Sequence, residues 1–134
     1  LERIGDLAAN LAQHALAANR TVAPDVELGR IGEEARRLLE RSLAAYGSKD
    51  PEACREIAAA DEEIYVLCYR ASERVTRELI EQTVDDDAWA IERLLDDVSR
   101  VLLTIRDLER IADHAVNIAA RTLYMIENNS ELIY

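Results

Sequence analysis

The stretch Leu1–Ala12, LERIGDLAANLA, returns near the far end of the chain as Leu108–Ala119, LERIADHAVNIA. Aligned without gaps, the two share Leu, Glu, Arg, Ile, Asp, Ala, Asn and Ala at equivalent places. The other places exchange Gly for Ala, Leu for His, Ala for Val and Leu for Ile. So dense a match reads as an internal repeat whose period is nearly the whole chain. Each copy sets a Glu, an Asp and an Asn four residues apart: Glu2, Asp6 and Asn10, then Glu109, Asp113 and Asn117. On an α-helix that spacing stacks the three on one stripe, a turn apart. Two acids and an amide in a row within an apolar segment call for an explanation.

Outward from this repeat, the composition points to helices throughout. The 134 residues are rich in helix-forming side chains, lack Phe, and include four Gly and two Pro, little material for β-turns. One domain with its own core is the prior at this length. A formal charge of −11 argues against a nucleic-acid partner and against direct attachment to an anionic membrane. No apolar run approaches the roughly 20 residues that span a bilayer. Residues 1–20 lack the unbroken apolar core of a signal peptide, so a cytoplasmic location is the expectation. The chain begins without Met and inside a motif, which reads as a piece of a longer protein.

Apolar residues at three- and four-residue spacing predict four helices. The first covers about residues 1–19, with Leu1, Ile4, Ala8, Leu11, Ala15 and Ala18 inward and Leu16 beside them. A linker follows over 19–25, where Pro24 suits a helix start. The second covers about 25–46 and directs Val26, Leu28, Ile31, Ala35, Leu38, Leu39, Leu43 and Tyr46 inward. Gly29 and Gly32 either permit close helix approach or are merely tolerated, and Gly47 is a natural terminator. Asp50 followed by Pro51 marks the start of a third helix to about residue 83. It carries Cys54, Ile57, Ile64, Leu67, Cys68, Ala71, Val75 and Leu79 on its stripe, with Asp61 among them. Residues 84–87 cap a fourth and longest helix to about 128, built on Leu94, Val98, Val101, Ile105, Leu108, Ala112, Ala115 and Ala119, and the tail to Tyr134 is expected to fray. Short links between such helices force an antiparallel, up-down, all-α bundle of four long helices. Cys54 and Cys68, about 21 Å apart along one helix, are too distant to pair and read as buried thiols.

At about 100° per residue, Glu109 falls about 40° and Asp113 about 80° from Ile105, inside and at the margin of the apolar sector, with Asn117 further out. Three arrangements offset the cost of placing charge there. Arg106 and Arg110 can reach Glu109 and Asp113 as ion pairs, as Arg3 can reach Asp6; helix ends can admit water; or the oxygens ligate a hard cation such as Mg, Mn or Fe. Asp61 offers a further oxygen from another helix. The Glu-x-x-His signature of di-iron bundles is missing, His114 points toward solvent on a helical wheel, and His14, which corresponds to Arg121, is a weaker ligand candidate still. There is no Gly-rich phosphate loop, paired nucleophile and base, or Cys/His metal spacing, and nothing recommends an enzyme.

The motif LERI(G/A)D-x-A-x-N-x-A, once per half and near the end of a helix, resembles the PhoU family, regulators of phosphate uptake built from two three-helix repeats. The resemblance makes residues 1–23 the last helix of a truncated first repeat with its linker, and residues 24–134 a complete second repeat. It implies a cytoplasmic, non-enzymatic repressor of the phosphate-starvation response, linking the ATPase subunit of the phosphate-specific ABC transporter to a sensor histidine kinase. It also implies a homodimer, and metal, iron or zinc among the family's ions, on E(D)-x-x-x-D motifs. Carried over by position, those motifs fall on Glu109 and Asp113, on Glu2 and Asp6, and on Asp61 with residue 65. Residue 65 is Tyr, which removes one expected ligand; Glu62 and Glu63 are displaced around the helix. Two other classes stay open: a metal-dependent carboxylate-bundle enzyme, and a structural helical oligomerisation module without metal.

Overall fold

The computed structural model describes residues 1–17, 28–82 and 88–128, which form four helices: α1 (Glu2–Ala17), α2 (Leu28–Ser48), α3 (Pro51–Gln82) and α4 (Ala88–Glu127). No strand occurs among the described residues. The readings of Pro24 as a helix start, of 84–87 as an acidic cap and of the last residues as a fraying tail fall outside the described residues, as do Val26, Ala18 and the side chains of His14, Ala15 and Leu16.

The centre of the molecule is a three-helix bundle of α2, α3 and α4, with the α3–α4 interface the most extensive. Cys54, Ile57 and Val75 from α3 and Ile105, Ala112, Ala115, Ala119 and Leu123 from α4 are sealed from solvent. Each large side chain buried so completely contributes about 1.5–3 kcal/mol. Between α2 and α4 the stripe is built from small residues: Ala35, Ser42 and Ala45 face Ala112, Ala115 and Ala119. Their size brings the two backbones close enough for the Ser42 hydroxyl to lie 2.7 Å from the Ala115 carbonyl of α4 and 2.9 Å from Leu38 O of its own helix. One hydroxyl carries one proton, so Ser42 donates to one carbonyl at a time, and among the described residues no buried side-chain polar atom is left unpaired. Gly32 is not required by any close approach, since a Cβ there would meet Leu108 at an ordinary 3.8 Å.

The α2–α3 turn shows how local chemistry sets the register of the bundle. Asp50 caps α3 as the spacing predicts, its Oδ1 accepting from the backbone N–H groups of Glu52 at 3.1 Å and Ala53 at 3.2 Å. The end of α2 differs from expectation. Gly47 stays within the helix, and Lys49 adopts the left-handed conformation at φ 54° that usually falls to glycine. The N–H of Asp50 then reaches back to Ala45 O at 3.3 Å, the six-to-one bond of a Schellman ending. That bond, with Asp50 already committed to starting α3, places the reversal two residues later than Gly47. Close by, in the first turns of α3, Arg55 bridges to Glu127 at the end of α4 at 2.6 Å.

Among the described helices, α1 packs against α4 alone. It buries Ile4 and Leu7 and partly buries Leu11, leaving Leu1 and Ala8 exposed, a face shifted from the one expected. Ile4 and its counterpart Ile111 are buried in both copies, but the second copy also buries Leu108, Ala112, Ala115 and Ala119, because α4 is gripped by α2 and α3 as well. Two other expectations fail: Leu43 and Tyr46 are exposed, lying past the edge of the narrow alanine stripe that α2 presents to α4. No described helix is long and apolar enough to cross a membrane.

Candidate functional site

Three of the sequence-derived acids come together. Asp61 occupies the apolar stripe of α3 between Ile57 and Ile64, and Glu109 and Asp113 lie a turn apart on α4. Packing α3 on α4 sets all three along one seam, with Asp61 and Glu109 half-buried and Asp113 at the open edge. Burial raises the carboxyl pKa of each, and the Asp113 charge raises Asp61 and Glu109 further. Glu109 also feels Asp61, with Arg106 partly countering the rise. His114 and Arg110 partly offset the effect of burial on Asp113. The Asp113 charge thus resists ionisation of the other two, and the carboxyls titrate as a coupled group.

The ion pairs that spacing allowed do not form. Among the described residues, no Arg or His lies within 4.0 Å of Asp61, Glu109 or Asp113, and Arg106 and Arg110 act on them only at longer range. Paired acids lie elsewhere, most densely on the outer face of α2, where Glu33, Glu34 and Glu40 meet Arg36 and Arg37. The seam is therefore a patch of acids without a close ion-pair partner among the described residues, countered only at longer range by Arg106, Arg110 and His114.

Beneath it sits Cys68, seven residues on from Asp61 along the same stripe. It is free and buried, and its thiol pKa is pushed up to about 12 by burial first and then by Glu109, Asp113 and Asp61. Cys54 is also free, buried and raised, chiefly by burial. Both thiols stay protonated at neutral pH, which makes them poor nucleophiles. The reading of both cysteines as buried and unpaired holds.

The remaining candidates are not brought to the seam. Asn117 is exposed on the flank of α4 that turns toward α1, where it lines a different cavity. Tyr65, one turn beyond Asp61, is exposed and adds no carboxylate. Glu62 and Glu63 line a groove between α2 and α3, so neither substitutes for it. Glu2, Asp6 and Asn10 face outward from α1, with Arg3 and Asp6 not paired.

Carboxylate oxygens suit a hard cation, and partial burial without countercharge favours one. The spacing, however, does not close around a single ion. Among the described residues, no three His, Cys, Asp or Glu side chains are placed to hold a metal as they stand.

Two features escaped sequence reasoning. Ser42 was readable in principle, as a hydroxyl at the Ala35–Leu38–Ala45 spacing of a buried stripe. His114 is half-buried rather than solvent-facing, because α1 covers a flank of α4 that a single-helix wheel treats as open.

With this geometry in view, a family model described as the PhoU domain matches residues 28–122, the span of α2, α3 and most of α4. Relatives named phosphate-specific transport system accessory protein PhoU homolog occur in Xylella fastidiosa (strain 9a5c), 30% identical over 98% of this chain and 53% of that protein, and in Rhizobium meliloti (strain 1021), 33% identical over 93% and 50%. A third, PhoU homolog 1 of Methanothermobacter thermautotrophicus, is 32% identical over 94% of this chain and 55% of its own length. The chain thus spans about half the length of the curated relatives it matches. No solved structure matches it.

Proposed function

This chain belongs to the PhoU family, and we propose that it serves in a non-enzymatic regulator of phosphate transport. In this reading it links the ATPase subunit of a phosphate-specific ABC transporter to a sensor histidine kinase and represses the phosphate-starvation response. It does so as a homodimer on the cytoplasmic side of the membrane. The observation that carries the reading is the family match over residues 28–122, which coincides with the bundle that builds the acidic seam.

We further propose that Asp61, Glu109 and Asp113, whose spacing does not close around one ion as they stand, contribute oxygens to a metal site for iron or zinc, with Mg or Mn also suited to the donors. The support is chemical: three mutually repelling carboxylates that the described residues leave unpaired are relieved by a cation. At Glu2, Asp6 and Asn10 the acids stand on one exposed helix, so a site there needs oxygens from another chain or segment.

Deletion of the gene tests the regulatory reading. A phosphate-starvation reporter should stay on in phosphate-rich medium and return to repression when the gene is restored. Normal repression in the deletion strain would refute it.

A further inference from the structure

On the flank of α4 turned toward α1 lies a cavity of about 360 Å³, formed where the start of α1, the end of α2 and the second half of α4 converge. Arg3 of α1 and His114, Asn117 and Arg121 of α4 contribute its polar groups, and Tyr46 and Met125 belong to its apolar wall. His114, Asn117 and Arg121 recur at three- and four-residue spacing and so share one helical stripe.

The charge of this cavity is opposite to that of the chain. Asp and Glu make up 27 of the 134 residues, yet among the described residues no acid lines the cavity, while two guanidinium groups do. Neither Arg3 nor Arg121 has an ion-pair partner among the described residues, whereas Arg36, Arg37, Arg55, Arg77 and Arg100 all do. An imidazole and an amide beside them supply further donors. Guanidinium groups match the oxygens of a phosphoryl group in geometry and charge. The wall is the second element: Tyr46 and Met125 are exposed, at 56% and 53%, with no side chain of the described protein covering them. A cavity of this size, largely apolar with a few convergent donors, has the make-up of a small-molecule site rather than of a seat for a bare inorganic ion.

We propose that this cavity binds a small organic phosphate, its phosphoryl group held by Arg3 and Arg121 and its aromatic or apolar body against Tyr46 and Met125. The site is distinct from the acidic seam, and it does not depend on the metal reading or on the transport role.

Titration calorimetry on the 134-residue chain tests it with three probes: phenyl phosphate, inorganic phosphate and phenol. Phenyl phosphate should bind saturably at one site, more tightly than inorganic phosphate, and phenol should not bind. Loss of charge-assisted bonds to the phosphoryl group in R3Q/R121Q should weaken phenyl phosphate about tenfold or more. R106Q/R110Q, which removes two arginines outside the cavity, should leave the affinity unchanged, and matching circular dichroism spectra establish that both variants fold. Absence of saturable binding, equal affinity for inorganic and phenyl phosphate, or equal losses in the two double variants would each overturn the proposal.

Discussion

Asp61→Asn should make the protein more stable at neutral pH, although it alters a half-buried residue on the main apolar stripe of α3. The substitution keeps the size of the side chain and removes one of three like charges along the seam. Two repulsions disappear, those of Asp61 with Asp113 and with Glu109. Like-charge neighbours at this degree of exposure destabilise by about 0.3–0.5 kcal/mol each, so the gain is about 0.5–1 kcal/mol. In a domain of this length that raises Tm by about 2–4 °C. The pH dependence gives the sharper test. A carboxyl whose pKa is raised on folding binds its proton more tightly in the native state, so its contribution is fully present below the unfolded pKa and is lost as pH rises through the folded one. Asp61, Glu109 and Asp113 all shift that way. The advantage of the Asn variant should therefore be largest near pH 7 and vanish below about pH 4, where an unperturbed carboxylate is itself protonated. Thermal melts of both proteins across that range, with chelator present, measure it. A variant less stable at pH 7, or a gain that persists at pH 3, would refute the account of a repulsive seam.

Three other outcomes follow from the packing and the caps. Ser42→Ala removes the hydrogen bond between α2 and α4 and should cost about 1 kcal/mol in urea unfolding, whereas Ser42→Leu, which wedges the alanine interface apart, should cost about 1–3 kcal/mol or more. Lys49→Gly, at φ 54°, should stabilise by about 0.5–1 kcal/mol in the same assay, and Lys49→Val should do the reverse. Cys68, its thiol pushed up to about 12 and buried, should resist a thiol reagent at pH 7.5 in the folded protein and react once urea unfolds it; rapid labelling of the native state would contradict the placement.

The fold was readable because its determinants are local and periodic. The stripes of α3 and α4 appear directly in the spacing of Ile57, Ile64, Cys68 and Val75 and of Leu94, Val98, Ile105 and Ala112, and Asp50–Pro51 announces its own cap. Asp61 and Glu109 were legible for the same reason, as carboxylates inside an apolar period. The misplaced details depend on neighbours the period does not encode. The inward faces of α1 and the end of α2 follow from α1 having one partner and from alanine packing that leaves Leu43 and Tyr46 outside. The expected ion pairs of Arg106 and Arg110 failed because three-residue spacing permits an approach without compelling it, and the acids turn into the α3–α4 seam. Asn117 and His114 belong to a cavity that exists only once three helices converge.

Metal content of the purified protein is the most direct test that the seam of α3 and α4 presents its carboxylates to positive charge. Protein prepared without chelator should carry iron, zinc or another divalent metal by elemental analysis. The Glu109→Gln/Asp113→Asn variant, folded by circular dichroism, should lose it, while Glu33→Gln/Glu40→Gln on the ion-paired face of α2 should not. A chain free of metal after equilibration with these ions, or one that keeps its full content in the Glu109/Asp113 variant, would contradict the account.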